Sequence, residues 1–483
     1  MPSSSPSEFL LNYKPSHDLP PLAGLGSFSE ASQRGLSVEE SVTRLKRHHY
    51  AFKRLHHLLI AHITAQPIYE LKMAFSYHAY LCAEQTTAMR DRVSEMREPP
   101  LGLDRVPHPA LELFFDEILC APATELMLLG IYEVAVPALA NALELHIKES
   151  HILADQPTRR ACRSALGEIG ELLDYGQSAL RALLSANRSL EQTQFATRLR
   201  ELLAIAGGID GTEPELAKQA ERHFSATPFK FDSKPRRDGR FPDPYNMGIN
   251  AEAFLYDAGM PADAKVLMMF YKRLREIDVP EMMASILTET ECKPWDYYRD
   301  LTRQLWDEAR HAMMGEVGFV SAGIDWPRLV MVNYTWSLAL NTQLTPKERH
   351  AVLYYIEQGL MPKNGKRHEW EVSLASRNEL ASTFQDFDWA DEVLHARFGR
   401  DWYVSDMPSP REAVSFGDQC WSKVLVNWEG YRESGLTDHH NWWEALYSEF
   451  CRLHKKTPDP AAAAFNQSYQ HIRADLKEIS ASG

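Results

Sequence analysis

The chain has 483 residues, which is enough for two or three domains with separate cores. Its 66 acidic and 52 basic residues give a net charge of −14, which argues against a general nucleic-acid binder, because such proteins need a basic face. Six scattered cysteines without a C-x-x-C pair, and an N-terminus without a basic segment followed by an apolar run, favour a reduced, cytoplasmic protein.

Apolar residues recur every three or four positions through most of the chain, which predicts an all-α protein. Early examples are "VTRLKRHHYAFKRLHHLLIAHI" and "YELKMAFSYHAYLCAEQTTAMRDRVSEM". The run 126–145 is apolar enough to resemble a membrane span. Glu133, Pro137, Asn141 and Glu144 interrupt it, and we therefore interpret it as a buried core helix and predict no membrane contact.

A stretch rich in Gly, Pro and charge divides the chain near its middle. We predict a helical bundle at 35–200, a linker at 201–255, a second bundle at 256–402 and a helical C-terminal extension at 403–483. Within the linker, "KPRRDGRF" is a candidate for binding an anionic substrate group. The alternative is a basic segment that packs across the two domains.

The two halves of the chain resemble copies of each other. "LCAEQTTAMRDRV" (81–93) and "LWDEARHAMMGEV" (305–317) share five of thirteen residues, and Glu84 then falls on Glu308 at a separation of 224 residues. The same separation places Glu133 on Glu357 and Glu168 on Glu392. Three helices in one register predict two related bundles in tandem.

The second half contains two Glu-x-x-His motifs, at Glu308 and His311 and at Glu392 and His395. Residues three apart lie on one face of a helix, so that each carboxylate and imidazole can bind one metal ion. Two such helices, with one glutamate from each of two further helices, form the di-metal carboxylate site of a four-helix bundle.

The two remaining glutamates are expected before Glu308 and between the two motifs. Before Glu308 the best candidate is Glu281, because its helix neighbours are apolar, and Glu276 and Glu289 are alternatives. Between the motifs, Glu357 lies within an apolar run, and Glu371 is the alternative. Two divalent ions balance four carboxylates, so the loaded site can lie in a bundle core, and hard oxygen ligands favour iron or manganese.

The second half thus resembles the ferritin-like di-iron carboxylate proteins, whose pattern is Glu, Glu-x-x-His, Glu, Glu-x-x-His. The match covers about 260–400, and its residues are Glu281, Glu308, His311, Glu357, Glu392 and His395. The first half resembles a degraded copy of the same bundle. His57, Thr87 and Glu171 stand at the positions of Glu281, His311 and His395, so no di-iron centre is expected there. His57, His62 and Arg90 are expected to pair with its leftover acids Glu84, Glu133 and Glu168.

The resemblance implies an enzyme that holds two iron ions, or one iron and one manganese, and uses O2 to oxidise a small organic substrate by hydroxylation, N-oxygenation or oxidative cleavage. It also implies an external electron donor, and a homodimer is compatible with it. The linker segment "PRRDGRF" and the aromatic C-terminal tail are candidates for closing the substrate pocket. The alternatives are a ferroxidase-like metal-binding protein without an organic substrate, and a non-enzymatic helical scaffold.

Overall fold

The computed structural model describes residues 6–97, 102–185, 187–246, 248–362, 365–425 and 428–468. Within these ranges the protein is α-helical and contains no β-strand, which confirms the predicted all-α fold. The tandem ferritin-like arrangement and the domain bounds stay predictions.

The helices up to the central linker are α1 Pro6–Asn12, α2 Phe28–Ala31, α3 Val38–Ile63, α4 Tyr69–Ser94, α5 Pro109–Leu119, α6 Thr124–Leu128, α7 Val136–Glu149, α8 Gln156–Leu183 and α9 Leu190–Ile205. The later helices are α10 Ala251–Tyr256, α11 Ala262–Arg275, α12 Asp278–Glu289, α13 Trp295–Ser321, α14 Trp326–Leu329, α15 Thr335–Gln343, α16 Pro346–Gly359, α17 Lys366–Ser376, α18 Glu379–Trp402, α19 Pro410–Leu425, α20 Trp428–Glu433, α21 Trp443–Leu453 and α22 Pro460–Ala463.

The chain forms two compact units. The first comprises Met1–Leu58 and Leu81–Lys230, and the second comprises Leu59–Tyr80 and Phe231–Gly483. Residues 59–80, which the sequence analysis assigns to the first bundle, therefore belong to the second unit. One reason is Lys72, a fully buried residue of α4 whose ammonium forms an ion pair with Glu281 of α12.

In the first unit, α6, a π-helical segment at Leu129–Ala135 and α7 form one continuous helix, Thr124–Glu149. Among the described residues this is the one helix long and apolar enough to cross a membrane, with a mean hydropathy of 1.7. In its most apolar window 78% of the residues are buried inside the structure, which is the pattern of a core helix in a soluble protein. It corresponds to the run interpreted above as a buried core helix.

Two of the leftover acids of the first unit, Glu133 and Glu168, have other partners than those expected. Glu133, in the π-helical segment, forms ion pairs with Arg188 and Arg200. Glu168 accepts a hydrogen bond of 2.7 Å from the amide of Gln85. All of these acids, like Glu84, are partly accessible, so water can share in their solvation.

In the second unit, the long helix α13 packs closely on α11. Gly315 makes this approach possible, because a Cβ at this position would collide with the backbone of Phe270 and Leu274 in α11. One turn along, Gly318 leaves room for the ring of Phe270. This contact holds the Glu308 motif of α13 beside the C-terminal end of α11, where Glu276 is the capping residue.

Candidate metal centre

Four predicted ligands, Glu308, Glu357, Glu392 and His395, lie together and are buried. We call them the His395 group. They come from α13, α16 and α18, and their ligand atoms all lie within 4.8 Å of one another. The His395 Nδ1 atom lies 3.1 Å from Glu308 Oε1, 3.6 Å from Glu392 Oε2 and 3.9 Å from Glu357 Oε1.

A second group, the His311 group, comprises Glu276, His311 and Asp388. The His311 Nδ1 atom lies 3.4 Å from Glu276 Oε2 and 3.4 Å from Asp388 Oδ1. Glu276 caps α11, whereas Asp388 precedes Glu392 by four residues in α18 and therefore shares its helix face.

Glu308, a member of the His395 group, also faces His311. Its Oε1 atom faces His395 Nδ1, and its Oε2 atom lies 3.6 Å from His311 Nδ1. The two imidazole rings are 6.1 Å apart between centroids. Glu308 thus presents one carboxylate oxygen to each of the two histidines.

An aspartate holds the outer nitrogen of each histidine. The His311 Nε2 atom is 3.1 Å from Asp391 of α18, and the His395 Nε2 atom is 3.3 Å from Asp307 of α13. Arg310 pairs with both aspartates. These contacts turn the Nδ1 edge of each ring toward the interior, and proteins orient metal-binding histidines in the same way.

The concentration of buried acids raises the pKa values of both histidines. Burial acts to lower the pKa of His311, but the neighbouring carboxylates of Asp391, Glu276 and Glu308 outweigh burial and raise the pKa to about 10. The pKa of His395 is likewise well above its usual range, because its contacts with Asp307 and Glu308 outweigh burial. Burial and the negative charge of the neighbouring Glu392 raise the pKa of Glu357 well above its usual range. These shifts reflect a concentration of buried negative charge.

Glu281, predicted as the first ligand, lies in neither group. It is fully buried and forms ion pairs with Lys72 and Arg237, and it accepts a hydrogen bond of 2.7 Å from Ser337. Burial acts to raise its pKa, but the two cations outweigh burial and hold the pKa at about 2. The carboxylate is therefore an ionised partner of two buried cations, and Glu276, the alternative considered for this position, is the acid beside His311.

The other two alternatives lie outside both groups. Glu289 forms an ion pair with Arg349, and Glu371 pairs with Arg367 on the surface at 2.9 Å. The arginines of "PRRDGRF" are also paired with acids of the protein: Arg236 with Asp232, Arg237 with Asp278 and Glu281, and Arg240 with Glu70 and Asp238. These contacts offer no support for an anion-binding linker.

Sequence reasoning missed several residues of the centre, among them Asp307, Asp388, Asp391 and Lys366. Asp307 and Asp391 could have been found from the sequence, because an aspartate precedes the glutamate in both motifs, which read Asp-Glu-x-x-His. Asp388 had a weaker sequence signal, its position four residues before Glu392. Lys366, whose buried ammonium lies 2.7 Å from Glu392, had none, because it precedes the predicted ligands of α18 and belongs to another helix, α17.

A cavity of about 330 Å³ adjoins the centre. Glu276, Glu308, Glu357 and Glu392 form part of its wall. Most of the remaining wall is apolar and comprises Val279, Met282, Leu340, Leu353, Ile356, Leu360 and the stacked rings of Trp336 and Trp421. Trp421 belongs to the aromatic tail, so this part of the tail does line the cavity. A smaller charged part contains Glu252, Lys272, Arg275 and Asp278.

Five polar atoms of the two groups point into the centre and have no hydrogen-bond partner. They are Nδ1 of His311 and of His395 and one carboxylate oxygen each of Glu276, Glu357 and Glu392. Buried polar atoms are rarely left unsatisfied in folded proteins, and a metal ion would satisfy these. The donors, oxygen and imidazole nitrogen, suit iron or manganese.

Comparison with known proteins provides no further identification. No family model, no curated protein and no solved structure matches the chain.

Proposed function

We propose that the chain is an O2-dependent oxidoreductase of the ferritin-like di-iron carboxylate kind, which acts on a small organic substrate. The observation that carries this proposal is the pair of Glu-x-x-His motifs, whose histidines both turn Nδ1 toward the shared carboxylate of Glu308. The ligands would be Glu276, Glu308, His311, Glu357, Glu392 and His395, with Asp388 beside His311. This order keeps the family pattern, with Glu276 in place of Glu281.

When bound, two iron(II) ions supply the electrons that reduce O2. The protein residues have separate tasks. Glu308 sets the spacing of the two positions, and Asp307 and Asp391 keep the imidazoles oriented. The amide of Gln304 donates a hydrogen bond of 3.0 Å to Glu357 Oε1 and so holds that side chain at the cavity wall.

The cavity supports an organic substrate over iron alone. A ferroxidase needs a polar route for hydrated ions, whereas this cavity has mostly apolar walls beside four of the proposed ligands. Its volume suits a small, largely apolar molecule, and its apolar walls keep bulk water from the reacting atoms. The external electron donor, the homodimer and the cytoplasmic location stay predictions.

Iron loading followed by rapid mixing with O2 tests this proposal. After anaerobic incubation with excess iron(II), the full chain is expected to retain about two iron ions, matching its two histidine-containing groups. Iron analysis and absorbance changes after mixing measure retention and oxidation. Oxidation should stop after the bound iron has reacted once, because no substrate or donor renews it.

Two outcomes would contradict the proposal in different ways. Continued oxidation of many iron ions per chain would identify a ferroxidase. Failure to retain iron or manganese would identify a helical scaffold in which the motifs are remnants.

A further inference from the structure

Lys366, the first residue of α17, places a fixed positive charge inside the candidate metal centre. Its side chain is fully buried, and its Nζ atom lies 2.9 and 3.0 Å from the two oxygens of Asp388. The same atom lies 2.7 Å from Glu392 Oε1 and 3.7 Å from Glu276 Oε1. The ammonium therefore contacts two of the three members of the His311 group.

Arg273 of α11 adds a second buried cation on the same side. It forms ion pairs with Asp388 and, at 2.9 Å, with Glu276. Both acids of the His311 group are thus already balanced by protein cations. Among the described residues, no lysine or arginine forms an ion pair with Glu308 or Glu357, although each is buried.

The two groups also differ in how Lys366 contacts their oxygens. Unsatisfied atoms occur in both groups, on three of the four residues of the His395 group and on two of the three residues of the His311 group. Lys366 bonds only Oε1 of Glu392 and leaves Oε2, the oxygen that faces His395, without a partner. In contrast, both oxygens of Asp388 are bonded to Lys366.

We propose that the two metal positions differ in affinity and that the Lys366 ammonium competes with the second metal ion for its carboxylate ligands. The first ion binds in the His395 group. The second ion binds beside His311 only after the Lys366 ammonium has moved away from Asp388 and Glu276, because two cations cannot share these oxygens without strong repulsion. This inference rests on the proposed di-metal function and specifies how its centre is loaded.

Anaerobic titration of the full chain with manganese(II) alone tests the inference. Calorimetry is expected to resolve two steps, with the second at least ten times weaker than the first. Electron paramagnetic resonance should show an isolated manganese ion after one equivalent and a spin-coupled pair only after the second. Neither readout depends on catalytic activity.

The variant Lys366→Met keeps most of the length of the side chain and removes its charge. It is expected to strengthen the second step about tenfold or more and to leave the first step within a factor of about three. Lys293→Met is the matched control, because Lys293 pairs with Asp406 near the surface and should leave both steps unchanged.

Two histidine variants keep the inference testable should Lys366→Met fail to fold. His311→Ala is expected to abolish the second step alone, whereas His395→Ala should abolish the first. Two equal steps in the wild type, or the same affinities in Lys366→Met, would overturn the inference and leave the di-metal proposal in place. Absence of manganese and iron binding from the wild type would overturn both.

Discussion

Replacing Glu308 with glutamine is expected to remove both metal ions from the protein and to lower O2 consumption by iron-loaded protein at least roughly 100-fold. Among the described residues, Glu308 is the one carboxylate with an oxygen toward Nδ1 of each of these two histidines, at 3.1 Å from His395 Nδ1 and 3.6 Å from His311 Nδ1. An amide lacks the negative charge and can offer only one good oxygen ligand, so neither position keeps its full ligand set.

Metal analysis after anaerobic loading and desalting measures the loss. Glu371→Gln is the matched control, since this glutamate was an alternative ligand on sequence grounds but pairs with Arg367 at the surface. The control should keep the wild-type metal content. Glu308→Gln protein that retained two ions would show that the shared carboxylate is not a bridging ligand.

Replacing Glu281 with glutamine is expected to leave the metal content unchanged and to lower the free energy of unfolding by about 3–5 kcal/mol. Glu281 neutralises Lys72 and Arg237, whose side chains are 0% and 1% exposed. Without this carboxylate, both cations stay buried with too little negative charge near them, because Asp278 is the one other acid among the described residues that pairs with Arg237.

Denaturant unfolding and metal analysis on the same preparation separate the two roles of Glu281. The double variant Lys72→Met with Glu281→Gln is expected to recover part of the lost stability, because it removes one of the two buried cations that Glu281→Gln leaves without a counter-charge. A Glu281→Gln protein with wild-type stability but less than one metal ion per chain would instead support the ligand role assigned from the sequence.

The all-α fold and the two Glu-x-x-His motifs could be predicted because both depend on local periodicity. Residues three apart share a helix face in any α-helix, so the pairing of Glu308 with His311 and of Glu392 with His395 follows from the sequence. The neighbouring aspartates Asp307 and Asp391 repeat in the same frame and were within reach of the same reasoning.

The choice between Glu276 and Glu281 could not be made in this way. Apolar neighbours correctly indicate that Glu281 is buried, but they do not reveal which residues its carboxylate contacts. Its partners, Lys72 and Arg237, lie 209 and 44 residues away in the chain. Glu276 lies at the end of α11, where helical periodicity no longer applies and where the close contact of α11 with α13 determines its position.

The charge balance of the centre could not be predicted from local sequence either, and Lys366 is the example. The charges of four carboxylates and two divalent ions sum to zero. This charge balance omits other charged residues that tertiary packing brings into the centre. Asp388, Lys366 and Arg273 all enter the centre, and two of these are cations with fully buried side chains. Ligand patterns predict which residues can bind metal, whereas competition among buried charges decides how readily they do so.

Diffraction from crystals of the iron-loaded protein, recorded at the iron absorption edge, measures the centre most directly. We expect two anomalous peaks on either side of Glu308, one beside Nδ1 of His395 and a weaker one beside Nδ1 of His311. A map without peaks between these two imidazoles, or with iron only at another place in the chain, would contradict the account.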